Sequence, residues 1–213
     1  MKRIKISVLD YGMGNVLSVL RAFEKVGHAV ELVSTSSDVL KSQALVIPGV
    51  GAFPNAMTNL TQKDLIESIK SAGKSGKSIV GICLGMQLLF ENSYEFTKTE
   101  GLGLMKGEIH PITNVDTDGK VLKVPHVGWN SLTFNADYIE NKSNLRTGKQ
   151  NDFYFVHSLH AKVSHERDVV AVTNYGGHEL AAIVANNNFL GFQFHPEKSG
   201  EKGLQLIQDI HFQ

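Results

Sequence analysis

Cysteine is almost missing from this sequence: Cys83 is the only one among 213 residues. A single thiol excludes an internal disulfide framework and a cysteine-rich metal centre, and a free thiol suits a reducing compartment. Excess charge is missing too. Lys plus Arg and Asp plus Glu number 21 each, so there is no net basic field to hold nucleic acid or an anionic membrane surface. No apolar run approaches a bilayer span, and the opening MKRIKISVLD carries neither an apolar signal core nor a cleavage site. Repeats, low-complexity tracts and linkers are lacking as well, so residues 1–213 read as one domain. These absences together predict a cytoplasmic protein with no membrane or nucleic-acid partner.

What is present is a regular alternation. Residues 4–9 read as a buried strand and 15–26 as a helix with Val16, Leu20, Phe23 and Val26 on one face, stopped by Gly27. HAVELV (28–33) and ALVI (44–47) are further strands, and LIESIKSAGKSG (65–76) closes a helical stretch. Residues 78–82 form another strand, with a helix starting at Leu84. Strands alternating with helices predict a doubly wound, mostly parallel central sheet, with its site at the carboxyl ends of the strands. After about residue 101 the texture becomes β-rich, in GKVLKVPHVGWNSLTF (119–134), NDFYFVHSLHAKV (151–163) and ELAAIVANNNFLGFQF (179–194). NNN is a hairpin turn in this reading, EKGLQLIQDIHF (201–212) a closing helix, and the fold class α/β with an added antiparallel region.

The lone cysteine stands in Gly81-Ile-Cys83-Leu-Gly85, at the junction of an apolar strand and an apolar helix. That spacing belongs to a nucleophile elbow. A sharp strand-to-helix turn holds the side chain out of the sheet, and the glycines let substrate and neighbouring chain come close. A helix N-terminus favours a thiolate and offers free N–H groups to an oxyanion. The competing reading is a small cysteine packed at a glycine-rich site. A nucleophile needs a base and the base an orienting group. GFQFHPEKSG (191–200) supplies both in His195 and Glu197, again at a strand end, with Pro196 stiffening the link. In VIPGVGAF (46–53) a buried strand runs into Gly49, Val50 and Gly51, a loop free to turn an N–H toward an oxyanion beside the N–H of Leu84.

Taken together, GICLGMQLLF, PGVGAF and QFHPEKSG closely resemble the class I, or triad-type, glutamine amidotransferases, over nearly the whole chain. The resemblance implies that glutamine is hydrolysed through a γ-glutamyl thioester, with Cys83 as nucleophile, His195 as general base and then acid, and Glu197 as orienter. It further implies that Gln87, the carboxylate of Glu95 and the backbone around His157 and Ser158 hold the L-glutamine. DYGMGNVLSV (10–19), KVPHVGWN (123–130), FYFVHS (153–158) and FHPEKSG are similar to the histidine-biosynthetic branch of that family. Members of that branch pass ammonia to a separate cyclase subunit with a (βα)8 barrel. Asn15, Trp129, Tyr154 and Lys198 would then face the partner. A glutaminase of this kind feeding a surface-sugar amidating enzyme is the alternative.

Other motifs give way on inspection. Gly12-Met-Gly14-Asn would need its third glycine at Leu17, so no dinucleotide fingerprint is present. His157 and His160 lack an acidic partner cluster, and HERDV (165–169) lacks the second histidine of a zinc-protease helix. Neither a metal nor a cofactor is expected.

Overall fold

The computed structural model describes residues 4–135 and 152–212. Its first half is β1 (Lys5–Leu9), α1 (Val16–Lys25), β2 (Ala29–Val33), α2 (Ser36–Lys41), β3 (Ala44–Ile47), α3 (Phe53–Gln62), α4 (Ile66–Lys74), β4 (Ser78–Ile82) and the short α5 (Leu84–Leu88). The second half holds β5 (Asn92–Ser93), β6 (Thr99–Glu100), β7 (Gly107–Pro111), β8 (His126–Ser131), β9 (Thr133–Phe134), β10 (Asp152–His157) and β11 (Leu159–Val163). β12 (Val169–Tyr175), β13 (His178–Asn186), β14 (Phe189–Phe192) and α6 (Gly200–Gln208) complete it.

Eight strands form the main sheet in the order β2-β1-β3-β4-β14-β13-β12-β9. Its first five strands run parallel, and β13, β12 and β9 extend it antiparallel. β3 is apolar and buried at every position because both faces are covered there, whereas Lys5 and Ser7 in β1, Glu31 in β2 and Ser78 in β4 interrupt the apolar run. Along β3 and β4, Leu45, Ile47 and Ile79 enter the core under α3, α4 and α5, whereas Val46, Val80 and Ile82 enter the opposite core with Phe23 of α1 and Leu206 of α6. Period-two alternation between two apolar cores is what a covered sheet demands. No helix among the described residues is long and apolar enough to cross a membrane.

Two smaller sheets stand beside this frame: an antiparallel ribbon of β8 and β10, and a four-stranded sheet in the order β11-β7-β5-β6. The expected hairpin is present. β13 and β14 meet at Asn186 and Phe189, with Asn187 in the left-handed region at φ 52.

Two expectations need correction. The helical stretch ending at residue 76 is two helices, parted where Asp64 takes a φ of 55 that no helix continues through. The apolar alternation in 119–125 is not a strand. Val121 is 91% exposed and touches β structure only through a bridge to Val115, so β8 starts at His126. Alternation without a surface to bury against does not hold a strand in place.

Candidate active site

β4 ends at Ile82 and α5 begins at Leu84, so Cys83 makes the turn alone. Its backbone sits at φ 54, ψ −112, a region that side-chain-bearing residues rarely occupy. The Cys83 N–H donates to the Phe192 carbonyl at 2.7 Å, carrying the β4–β14 pairing one residue past the strand. The flanking glycines are steric necessities. A Cβ at Gly81 would lie 2.5 Å from the Gly85 carbonyl oxygen, and one at Gly85 would lie 1.8 Å from that of Ile47. α5 is thereby pressed onto the ends of β3 and β4, with the thiol raised at the rim.

His195 and Glu197 lie past the end of β14, the strand next to β4. His195 Nδ1 meets Glu197 Oε1 at 2.8 Å, and both side chains are no more than 3% exposed. The turn bearing them is clamped by Ser199, whose hydroxyl donates to the His195 carbonyl (2.6 Å) and accepts from the Tyr154 N–H (3.0 Å). The His195 N–H donates to the Tyr154 carbonyl at 2.9 Å. Burial is the largest single influence on His195 and opposes its positive form. Hydrogen bonding and charge from Cys83 and from Glu197 together outweigh it and raise the pKa to about 9. His195 Nε2 has no partner of full hydrogen-bond geometry, although Cys83 is close enough to raise the ring's pKa. Loose alignment of that kind is common before substrate is bound.

The thiol opens onto a cavity of about 430 Å³, a size suited to a small metabolite. Of the residues singled out in the sequence, Val50, Gly51, Leu84, Gln87, Glu95, His157, Ser158 and Lys198 line it with Cys83. Glu95 Oε2 accepts from the Phe53 N–H at 2.6 Å, so it also caps α3. Gln87 is 3% exposed, and its amide donates to Gln193 Oε1 at 3.1 Å and to the Leu159 carbonyl at 3.4 Å. The His157 ring is committed elsewhere: Nδ1 donates to the Leu159 carbonyl (2.7 Å), leaving Nε2 to accept from His126 Nδ1 (3.0 Å). Burial first, and the neighbouring His126, His160 and His195 after it, lower its pKa to about 3. Only the backbone of this histidine is free to meet a ligand. Gly49 does not line the cavity. It sits behind Val50 and Gly51, against Tyr11, Leu84 and Gly85.

Of the four residues expected to face a partner, Lys198 lines the cavity, whereas Trp129, Tyr154 and Asn15 do not. Trp129 is 57% exposed and pairs with Tyr154 across the β8–β10 register, their rings 5.9 Å apart. Lys198 is exposed directly after Glu197. Asn15 caps α1 through its Oδ1, which accepts from the Ser18 N–H at 3.3 Å, and α1 packs against the Pro196–Lys198 turn.

Several contributors escape sequence reading. Gln193 turns its amide toward the thiol at 3.9 Å. His126, buried and stacked on Phe155 and Tyr175, fixes the His157 ring. Ser199 clamps the catalytic turn, and Tyr11 lies under the 48–51 loop with its hydroxyl unpartnered. The adjacency of QFHP and of KSG to the His-Pro-Glu motif was the one available hint for Gln193 and Ser199.

Comparison with known proteins agrees with this geometry. Residues 7–212 match the family model "Glutamine amidotransferase class-I". The chain is 44% identical over 210 residues to imidazole glycerol phosphate synthase subunit HisH 1 of Legionella pneumophila (strain Lens), covering 96% of this chain and 97% of that one. It is 42% identical over 204 residues to subunit HisH of Lactococcus lactis, covering 96% of each. Among solved structures, PurLQS from Thermotoga maritima superposes with a TM-score of 0.72 at 22% identity, over 98% of this chain and 97% of that one, a likeness of fold. An elbow cysteine beside a buried His–Glu pair, on a chain matched from residue 7 to 212, makes this protein a member of the class I glutamine amidotransferase family.

Proposed function

We propose that the chain is the glutaminase subunit of an imidazole glycerol phosphate synthase, acting as one domain over 1–213 in the cytoplasm. The observation that carries the reading is the Cys83–His195–Glu197 arrangement, on a chain more than 40% identical along nearly its full length to proteins named for that synthase.

The chemistry follows from the geometry. Glutamine enters the cavity with its carboxamide over Cys83, held by Gln87, Glu95 and the backbone at His157 and Ser158. His195 Nε2 carries the proton drawn from the Cys83 thiol as Sγ attacks the amide carbonyl, while Glu197 holds the ring through Nδ1 and stabilises the imidazolium. The negative oxygen of the tetrahedral intermediate is met by the Leu84 N–H and by an N–H turned inward from the loop at Gly49, Val50 and Gly51. The imidazolium then protonates the departing nitrogen, releasing ammonia and leaving the thioester. Water, deprotonated by His195, hydrolyses it to glutamate.

Ammonia set free in bulk water would be protonated and lost, so a partner must receive it directly. Trp129, Tyr154, Lys198 and Asn15 form the docking face, with Trp and Tyr as the large anchors that interfaces favour. The partner is a (βα)8-barrel cyclase, and ammonia passing through it yields imidazole glycerol phosphate and aminoimidazole carboxamide ribotide in histidine biosynthesis. The test is reconstitution with the cyclase subunit from the same organism. Glutamine should support imidazole glycerol phosphate formation in the mixture and not with the cyclase alone. Failure here, with activity restored by a sugar-amidating synthase instead, would reassign the partner.

A further inference from the structure

Tyr11 follows β1 at the carboxyl edge of the sheet, beside the loop that leaves β3. Its side chain is fully buried, and its hydroxyl makes no hydrogen bond. A buried phenol ordinarily finds a partner, so an orphaned one calls for an explanation. The hydroxyl sits against Gly49: a Cβ placed on that glycine would lie 2.6 Å from the phenol oxygen, 3.0 Å from Leu84 Cβ and 3.1 Å from the Gly85 nitrogen. Gly14 presses on Gly49 as well, since a Cβ there would lie 3.2 Å from the Gly49 Cα and nitrogen. Val50 and Gly51 line the cavity, whereas Tyr11 and Gly49 do not. The phenol therefore lies beneath the loop, on the side away from substrate.

A peptide unit carries its N–H and C=O on opposite sides. Turning the Val50 N–H into the cavity sends the Gly49 carbonyl oxygen down, toward the phenol. We propose that Tyr11 is a positioning residue for the oxyanion loop: its hydroxyl is unsatisfied in the resting loop and donates to the Gly49 carbonyl once the Gly49–Val50 peptide has turned. The inference rests on reading loop 48–51 as an oxyanion donor. Burial, and after it charge on Cys83, pushes the phenol well above its ordinary pKa, so it remains a donor throughout the working range. The resting arrangement leaves a buried hydroxyl unpaired and the active arrangement pairs it, which biases the loop toward catalysis without any contact to glutamine.

Tyr11→Phe removes one atom that has no partner at rest, so the sign of its effects is diagnostic. The variant should raise the Tm of the isolated chain, because an unsatisfied polar group is gone. In the complex with cyclase and its nucleotide, kcat with glutamine should fall about tenfold, the factor of one neutral hydrogen bond, with KM for glutamine within roughly twofold. Ammonium-dependent synthesis should not change. A lowered Tm would mean an ordinary structural hydroxyl, and an unchanged kcat or a KM rising in step would equally overturn the proposal. Val50→Pro, which removes the N–H, tests the loop separately. If V50P is folded and inactive while Y11F is normal, only the tyrosine assignment fails; if V50P turns over normally, the loop reading falls and the tyrosine proposal with it.

Discussion

Burial alone would strip His195 of its proton; Cys83 and Glu197 reverse that and hold it up to about pH 9. A folded pKa above the ordinary 6.5 means that this histidine contributes stability in full below about 6.5, and that the contribution is lost as pH rises through 9. Titration of the imidazole by NMR should show the raised midpoint in the wild type and a fall in Cys83→Ala or Glu197→Gln, where burial is less opposed. The stability gap between wild type and Cys83→Ala should shrink between pH 6.5 and 9. A midpoint unmoved by both substitutions would separate His195 from the thiol. In turnover, His195→Ala should be close to inactive and Glu197→Ala should retain more, because an orienting group contributes less than the base it orients. Acid quench during turnover, followed by mass spectrometry, should find the γ-glutamyl group on the peptide holding Cys83.

At the scale of elements, the site depends on how tightly α5 sits on the strand ends. The Ile47 carbonyl occupies the space a Gly85 side chain would need, at 1.8 Å, and both sides of that contact are backbone. Gly85→Ala should therefore cost at least the roughly 1–3 kcal/mol of an overpacked core and displace the elbow, seen as a lower denaturation midpoint with slower Cys83 alkylation. Ser199→Ala leaves the Tyr154 N–H unpaired and the His195 carbonyl with the Lys198 N–H alone, which should cost about 1–3 kcal/mol and lower kcat more than KM changes. A variant as stable and active as wild type would remove Ser199 from the support of the catalytic turn. These contacts also mark where sequence reading stops. Cys83, His195 and Glu197 are legible because each sits in a short motif whose local geometry, a strand end followed by a forced turn, is set by its neighbours. Gln193, His126, Ser199 and Tyr11 act through partners 31 to 110 positions away or through packing under the loop. No local pattern encodes such a meeting. The β8–β10 ribbon shows the same limit. Apolar alternation over 119–134 marks a β-rich stretch, but only the pairing of 126–131 with 152–157 decides which part of it becomes a strand.

For the whole molecule, the sheet gathers the carboxyl ends of β3, β4 and β14 at one edge, and the ribbon pairs Trp129 with Tyr154. Exposed Lys198 adjoins Glu197, whose side chain is buried. Lys198→Ala should weaken assembly with the cyclase or let glutamine consumption exceed product formation, while alkylation of Cys83 by a small reagent hardly changes. Wild-type affinity together with one-to-one coupling in that variant would take Lys198 off the interface. The proposed function has a sharper consequence, because it puts the nucleophile and the ammonia-consuming site on different proteins. In the reconstituted complex, imidazole glycerol phosphate formation by Cys83→Ala is measured twice, once with glutamine and once with ammonium salt. Synthesis from glutamine should be abolished and synthesis from ammonium should match the wild-type complex; retained synthesis from glutamine would contradict the assignment of Cys83, and with it this reading of the chain.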